Sequence, residues 1–525
     1  MLKKKKWFLG VLSLVMTTSL LLSGCGSSVA TNSSANPNTF TGKKNPKYVF
    51  LFIGDGMGIS QINSAEIFLG NQKDPKNPNI QKLAFTQFPA QGMNTTYAAD
   101  TFITDSASAG TAIATGHKTN DGVINMDPAK KEKYTSMAEM AKKKGMKVGI
   151  VSSVSLDHAT PAVFYAHNPS RNNYYDISLE LGKSNFDYFA GGGLKQPTGK
   201  TKDKPDAFKE AEKNGYKIVK DKASLEKLDS KSGKVIAISP KLDADQALPY
   251  AINNDKDSIS LEDFTKKGIN VLDNDKGFFM MVEGGKVDWA CHANDAASSI
   301  HETLAFDKSI KQAVDFYEKH PDETLIVVTG DHETGGFTLG FAGTGYNTFF
   351  EKIGKQTISY DEFTKKVEAY KKAGHTADNA KLEDLLPLVK ESYGLEAMDP
   401  AKYNELSKIA SDEKNPKAKE AEEQIGMALS PKDMDDLRAA LKQSMTEKAN
   451  RAKDEQAQLL YGTYDPFTVT LTHILDHKAG LSFTSYSHTA VPIPVYVKGI
   501  GQDLFNGYYD NTDLFKKLTS IMAIS

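Results

Sequence analysis

Tyr48-Val49-Phe50-Leu51-Phe52-Ile53-Gly54-Asp55-Gly56-Met57-Gly58 joins an unbroken apolar run to an acidic, glycine-rich turn. A run this short with no polar alternation reads as a strand buried on both faces, as in a parallel sheet. The pattern recurs at Val148–Ser152, Phe278–Val282 and Leu325–Thr329, with a late strand at Val495–Val497. Between these runs lie helical stretches, Thr135–Lys144 stopped by Gly145, and Ser299–Lys319. Such alternation predicts an α/β fold in layers, a mostly parallel central sheet with helices on both faces.

In open α/β sheets ligands bind beyond the carboxyl ends of the strands. Those ends carry metal-competent side chains here. Asp55 follows the first run, Glu283, Asp288 and His292 follow the third, and Asp331 and His332 follow the fourth. The second leads to Asp157, His158 and Thr160. One Asp after a strand means little; four clusters of O and N donors at one sheet edge predict a multinuclear metal centre.

The chain of 525 residues is 39% hydrophobic and 25% charged, enough to bury a sizeable core. A net charge of −2 argues against a nucleic-acid-binding surface, so attraction for anions must be local. Residues 344–461 are rich in Lys, Glu and Ala and read as a predominantly helical insertion with solvated charged faces. At the N-terminus, Lys3–Lys6 precede the apolar stretch Trp7–Leu22 and then Leu22-Ser23-Gly24-Cys25. That order resembles a bacterial lipoprotein precursor: signal peptide 1–24, lipidated Cys25, flexible tether 25–44, and a folded domain 45–525. An uncleaved signal anchor is the alternative. The expected location is the outer face of the cytoplasmic membrane or the cell surface, reached through export. Lipidation of Cys25 would leave Cys291 unpaired, which excludes a disulfide framework.

Thr104-Asp105-Ser106-Ala107-Ser108-Ala109-Gly110-Thr111-Ala112 puts a serine before a good helix-forming tail. Ser106 at a helix N-terminus would meet the positive end of the helix dipole, a place for an anion. From this segment alone, a nucleophile and a plain helix cap are equally good readings.

Taken in order, Asp55-Gly56-Met57-Gly58, Thr104-Asp105-Ser106, Val282-Glu283-Gly284, Asp288 with His292, Gly330-Asp331-His332 and Ser487-His488-Thr489 resemble the motif set of the alkaline phosphatase family. The resemblance runs from about Tyr48 to the C-terminus, with 344–461 poorly matched. It implies that family's fold and a phosphomonoesterase acting at alkaline pH through a phosphoserine intermediate, with two Zn2+ and one Mg2+ per chain. It assigns Asp288, His292 and His488 to one zinc, and Asp55, Asp331 and His332 to a second beside Ser106. Glu283 and Thr160 join Asp55 at the third site. Arg171 would grip the substrate's phosphate, oriented by Asp105. Two positions depart from the enterobacterial pattern: His158 stands for Asp, as a candidate ligand of the third metal, and Trp289 stands for Lys beside the substrate. The exchange implies a weaker hold on product phosphate. The implied task is phosphate scavenging from small phosphomonoesters, and a homodimer is the assembly often found in the family. A phosphodiesterase of the same superfamily and a non-catalytic surface lipoprotein that binds phosphate or metal are the competing readings. Arg171 favours monoesters, because it fills the space that a second ester group would need.

Overall fold

The computed structural model describes residues 38–75 and 77–524. The expected signal peptide and Cys25 lie outside the described residues. From Asn38 onward the chain forms one compact unit. No helix among the described residues is long and apolar enough to cross a membrane.

The core is a ten-stranded sheet. In chain order its strands are β1 (Tyr48–Gly54), β2 (Ala90–Thr95), β3 (Lys147–Ser152), β4 (Tyr188–Gly191) and β5 (Tyr216–Val219), followed by β6 (Lys234–Ile238), β7 (Phe278–Gly284), β8 (Thr324–Gly330), β9 (Ile493–Gly499) and β10 (Gly507–Asp510). Their order across the sheet is β10-β2-β9-β8-β1-β7-β3-β4-β6-β5. Only β9 runs against its neighbours. The five runs read from sequence are β1, β3, β7, β8 and β9. The other five strands are short or lie toward the edges; in β2 only Ala90 and Asn94 are buried.

Every residue of β1 is buried, and alternate side chains enter opposite layers. Phe50 and Phe52 join Phe278, Met280, Ile326 and Val328 on one face. Val49, Leu51 and Ile53 join Phe279, Met281, Leu325 and Val327 on the other. This is why the central strands read as continuous apolar runs.

Six helices frame the site: α1 (Ile59–Lys73), α2 (Ser106–Thr115), α3 (Lys286–His292), α4 (Ala296–Tyr317), α5 (Pro466–Ala479) and α6 (Thr512–Met522). Near the start of the described chain, the Phe40 N–H donates to Ser520 Oγ of α6 at 2.8 Å. Between Phe350 and Tyr461 the chain is mainly helical, as in Tyr360–Lys372, Leu382–Tyr393 and Pro431–Met445. Phe363, Val367, Leu385 and Val389 bury one face of these helices in the first apolar layer. Asp295, the cap of α4, fixes the segment: it accepts from Gln356 Nε2 and from the Tyr360 N–H at 2.9 Å.

Candidate active site

The parallel register assembles the site. Gly54 of β1 lies level with Gly284 of β7 and Gly330 of β8. Asp55, Glu283 and Asp331 therefore arrive at one height. Gly56 allows the turn after β1: its φ is +71°, and an added Cβ would lie 2.7 Å from the Asp288 Cα. The Gly56 N–H then donates to Asp331 Oδ1 at 3.2 Å. The last donor comes from 156 residues downstream of His332, on a two-residue bridge that pairs His488 with Thr334.

At this sheet edge three groups of donors meet within ion-binding distance: Asp288 with His292 and His488; Asp55 with Asp331 and His332; and Asp55 with His158 and Glu283; a fourth group among the described residues, Asp243, Asp361 and Glu362, lies apart from them. In the first, His292 Nδ1 donates to the Tyr486 carbonyl at 2.6 Å and His488 Nδ1 to the Thr104 carbonyl at 2.7 Å. Both Nε2 atoms consequently face inward, 3.1 Å from each other and 3.3 and 3.6 Å from Asp288 Oδ1. Nitrogens so placed suit a cation between them. Burial pulls the His292 pKa down, but Asp288 pulls it up further, to about 9.

In the second group His332 Nε2 lies 3.3 Å from Asp55 Oδ1, 3.4 Å from Asp331 Oδ2 and 3.3 Å from Ser106 Oγ. Thr334, fully buried, links the two groups. Its hydroxyl donates to Asp288 Oδ1 at 2.5 Å and its oxygen lies 3.3 Å from His332 Nδ1. Accepting from that Nδ1 turns the His332 Nε2 lone pair toward Asp55, Asp331 and Ser106. Ser106 is the first residue of α2, and Asp105, not Ser106, is the helix cap, accepting from the Ser108 N–H at 2.9 Å.

In the third group the Ser152 hydroxyl donates to Glu283 Oε2, and Thr160 Oγ1 donates to Asp55 Oδ2 at 3.5 Å. Arg171 Nη1 donates to Asp105 Oδ2 at 2.9 Å, and its Nη2 lies 3.2 Å from His158 Nε2. Burial, reinforced by the Arg171 charge, drives the His158 pKa down to about 3, so this imidazole is neutral. Trp289 stands edge-on to it with ring centroids 6.0 Å apart.

The sequence profile of the alkaline phosphatase family matches residues 46–524. The chain belongs to the alkaline phosphatase family. It is 31% identical to alkaline phosphatase 3 of Bacillus subtilis over 98% of this chain and 97% of that protein. Alkaline phosphatase 4 of the same organism is also 31% identical, over 89% and 86%. Among solved structures, the cold-active alkaline phosphatase from Shewanella sp. aligns with a TM-score of 0.69 at 28% identity, covering 90% of this chain and 99% of that one. The alkaline phosphatase of the Antarctic bacterium TAB5 aligns at 26% identity and a TM-score of 0.57, covering 91% and 99%, in a histidine-to-aspartate variant with Mg bound in its M3 site. This chain is accordingly a metal-dependent phosphomonoesterase.

The donor set of this alkaline phosphatase suits metal ions. Asp55 Oδ1, Asp331 Oδ2, Glu283 Oε1 and His158 Nδ1 are buried without a hydrogen-bond partner. Burial, and after it the neighbouring carboxylates, hold the Asp55 and Asp331 pKa values far above the ordinary carboxylate range. Burial lifts Glu283 to about 7. Buried, mutually repelling acids with orphaned oxygens are arranged for cations to neutralise. Cys291 stays outside: its thiol contacts Ser299 Oγ at 3.2 Å, and burial raises its pKa.

Sequence reasoning missed Thr334, Ser152 and Tyr486, which orient the donors rather than supply them. A small hydroxyl two residues after His332 was the available signal for Thr334; the carbonyl of Tyr486 carries none.

Proposed function

We propose that this enzyme hydrolyses phosphomonoesters through a phosphoserine on Ser106, at alkaline pH, with two Zn2+ and one Mg2+. The observation that carries the reading is the position of Ser106 Oγ, at the N-terminus of α2 and 3.3 Å from His332 Nε2, next in the chain to Asp105, which holds the Arg171 guanidinium at 2.9 Å. Asp288, His292 and His488 would hold one zinc, and Asp55, Asp331 and His332 the other. Asp55, Glu283 and Thr160 offer the oxygen donors that suit magnesium, with His158 beside them. Two structures of the TAB5 enzyme with Mg bound in the M3 site are of variants in which Asp or Glu replaces a His. When bound, the ions supply the positive charge that lowers the pKa of the serine hydroxyl and stabilises the departing oxygen.

Ser106 Oγ attacks phosphorus as the bond to the ester oxygen breaks and the alcohol leaves. Water then cleaves the Oγ–P bond, releasing phosphate and restoring the serine. Arg171, held by Asp105, binds the phosphoryl oxygens through its planar fork throughout. Where the enterobacterial pattern has Asp and Lys, this chain has the neutral His158 and Trp289. That lowers the charge against bound phosphate and favours faster product release.

Export, a lipid anchor at Cys25 and phosphate scavenging complete the proposal, supported by the basic start, apolar stretch and Leu22–Cys25 motif of the sequence. The test compares p-nitrophenyl phosphate with its bis ester for wild type and Ser106→Ala, with metal analysis of the same samples. Chelator-sensitive monoesterase activity, lost in the variant, is expected. Diesterase preference or indifference to Ser106 refutes the reading. Retention of membrane association by Cys25→Ser refutes the anchor.

A further inference from the structure

Beside the site, past Trp289, lies a recess of about 260 Å3 whose walls include Tyr250, Tyr360 and Tyr464. Trp289 borders it and meets His158 edge-on. Tyr464 sits 5.7 Å from the Tyr360 ring and 6.3 Å from that of Tyr486, whose carbonyl orients His292. The walls are fixed. The Tyr360 N–H is bound to Asp295, and its hydroxyl accepts from Tyr250 at 3.2 Å.

The charged groups around the recess pair with one another, with carboxylates in excess. Lys286, buried, pairs with Asp243 at 3.1 Å and stands 3.4 Å from the centre of the Tyr250 ring. Lys365 reaches Asp243, Asp361 and Glu362 at 3.5, 2.9 and 2.6 Å. Asp243, Asp245 and Asp361 line the recess against Lys286 alone, so the excess of carboxylates disfavours a second anionic group on the substrate. Indole and phenol rings instead offer faces and edges to a planar ligand.

We infer that this recess is the subsite for the ester group of the substrate, and that it selects uncharged, ring-bearing phosphomonoesters over small or anionic ones. The inference rests on the phosphate being bound at Ser106 and Arg171, within reach of Trp289. It gives the helical segment a role in catalysis, because Tyr360 is the first residue of one of its helices.

The test is the ratio of kcat/KM for 1-naphthyl phosphate to that for glycerol 3-phosphate. Tyr464→Leu is expected to lower the ratio about tenfold, while Tyr464→Phe, which keeps the ring, stays within twofold of wild type. Ala244→Trp plugs the recess from an exposed position on its wall, where folding is not at stake, and must lower the ratio equally. Inhibition by phenylphosphonate relative to methylphosphonate is expected to weaken in parallel. An unchanged ratio in Tyr464→Leu and Ala244→Trp, or equal binding of both phosphonates by wild type, overturns the inference. Turnover that survives Ser106→Ala would instead defeat the nucleophile assignment, and the phosphonate comparison would still decide the recess.

Discussion

Removing the metals should cost this protein stability as well as activity, and the orphaned donors set the scale. Asp55 Oδ1, Asp331 Oδ2 and Glu283 Oε1 are buried with no hydrogen-bond partner. Each such oxygen costs about 1–3 kcal/mol when left unsatisfied, so the three together predict a loss of roughly 3–9 kcal/mol. Linkage gives a similar figure independently. An ion present at a thousand times its Kd stabilises by about 4 kcal/mol, and two such ions by about 8. At ~2 cal/mol/K per residue, a chain of 525 residues loses about 1 kcal/mol per degree near its midpoint. Chelation should therefore lower Tm by about 8 °C. Calorimetry at pH 8 with and without chelator, followed by zinc and then magnesium, measures it. Glu283→Gln removes one of the repelling charges, so its metal-free form should melt above metal-free wild type while its gain from metal shrinks. A fall of under about 2 °C with complete loss of activity would refute the reasoning. It would mean that protons satisfy the buried carboxylates as well as metals do.

Asp105 serves both the cap of α2 and Arg171, and two substitutions separate the roles. Asp105→Asn keeps a capping oxygen, so Tm should hold while KM rises about tenfold; Asp105→Ala should also lose about 1 kcal/mol of stability in urea melts. Thr334→Val removes the hydroxyl between Asp288 and His332 and should weaken zinc binding about 10–100-fold in a competition titration, with Thr334→Ser restoring it. Gly56→Ala should abolish activity and lower Tm, because its Cβ meets backbone at Asp288. His167 gives a pH signature away from the metal centre. Burial lowers its pKa, but Glu139 and Glu180, 3.3 and 3.7 Å away, outweigh burial and raise it to about 9. The pairing thus stabilises fully below about pH 6.5 and fades as pH climbs through 9. Discounted for partial exposure, His167→Gln should lose about 1–2 kcal/mol at pH 6 and almost nothing at pH 10 in urea melts.

How much of this was legible in the sequence followed from burial and from distance along the chain. β1, β7 and β8 are buried on both faces, so their apolar runs had no competing pattern. The residues just past them had to share one sheet edge once the strands were parallel. Asp55, Glu283, Asp331 and His332 could therefore be grouped from local text. His488 could be placed only through the family resemblance, since a two-residue bridge to Thr334 joins it to donors that no periodicity connects. The sequence left open whether Ser106 caps α2, because Asp and Ser are both good caps, and the Ser108 bond to Asp105 decides it. Tyr360 and Tyr464 were illegible for another reason. In a helical stretch an aromatic residue reads as core, and these two become pocket walls only because Asp295, buried at the start of α4, holds Gln356 and Tyr360 against the sheet. The catalytic donors descend from sheet register, which repeats regularly and can be read. The leaving-group wall descends from one docking contact between distant segments, which must be seen. The same division explains how one metal centre can serve different substrates: the register must be kept to hold the ions, whereas the docked segment can change its aromatic lining without disturbing them.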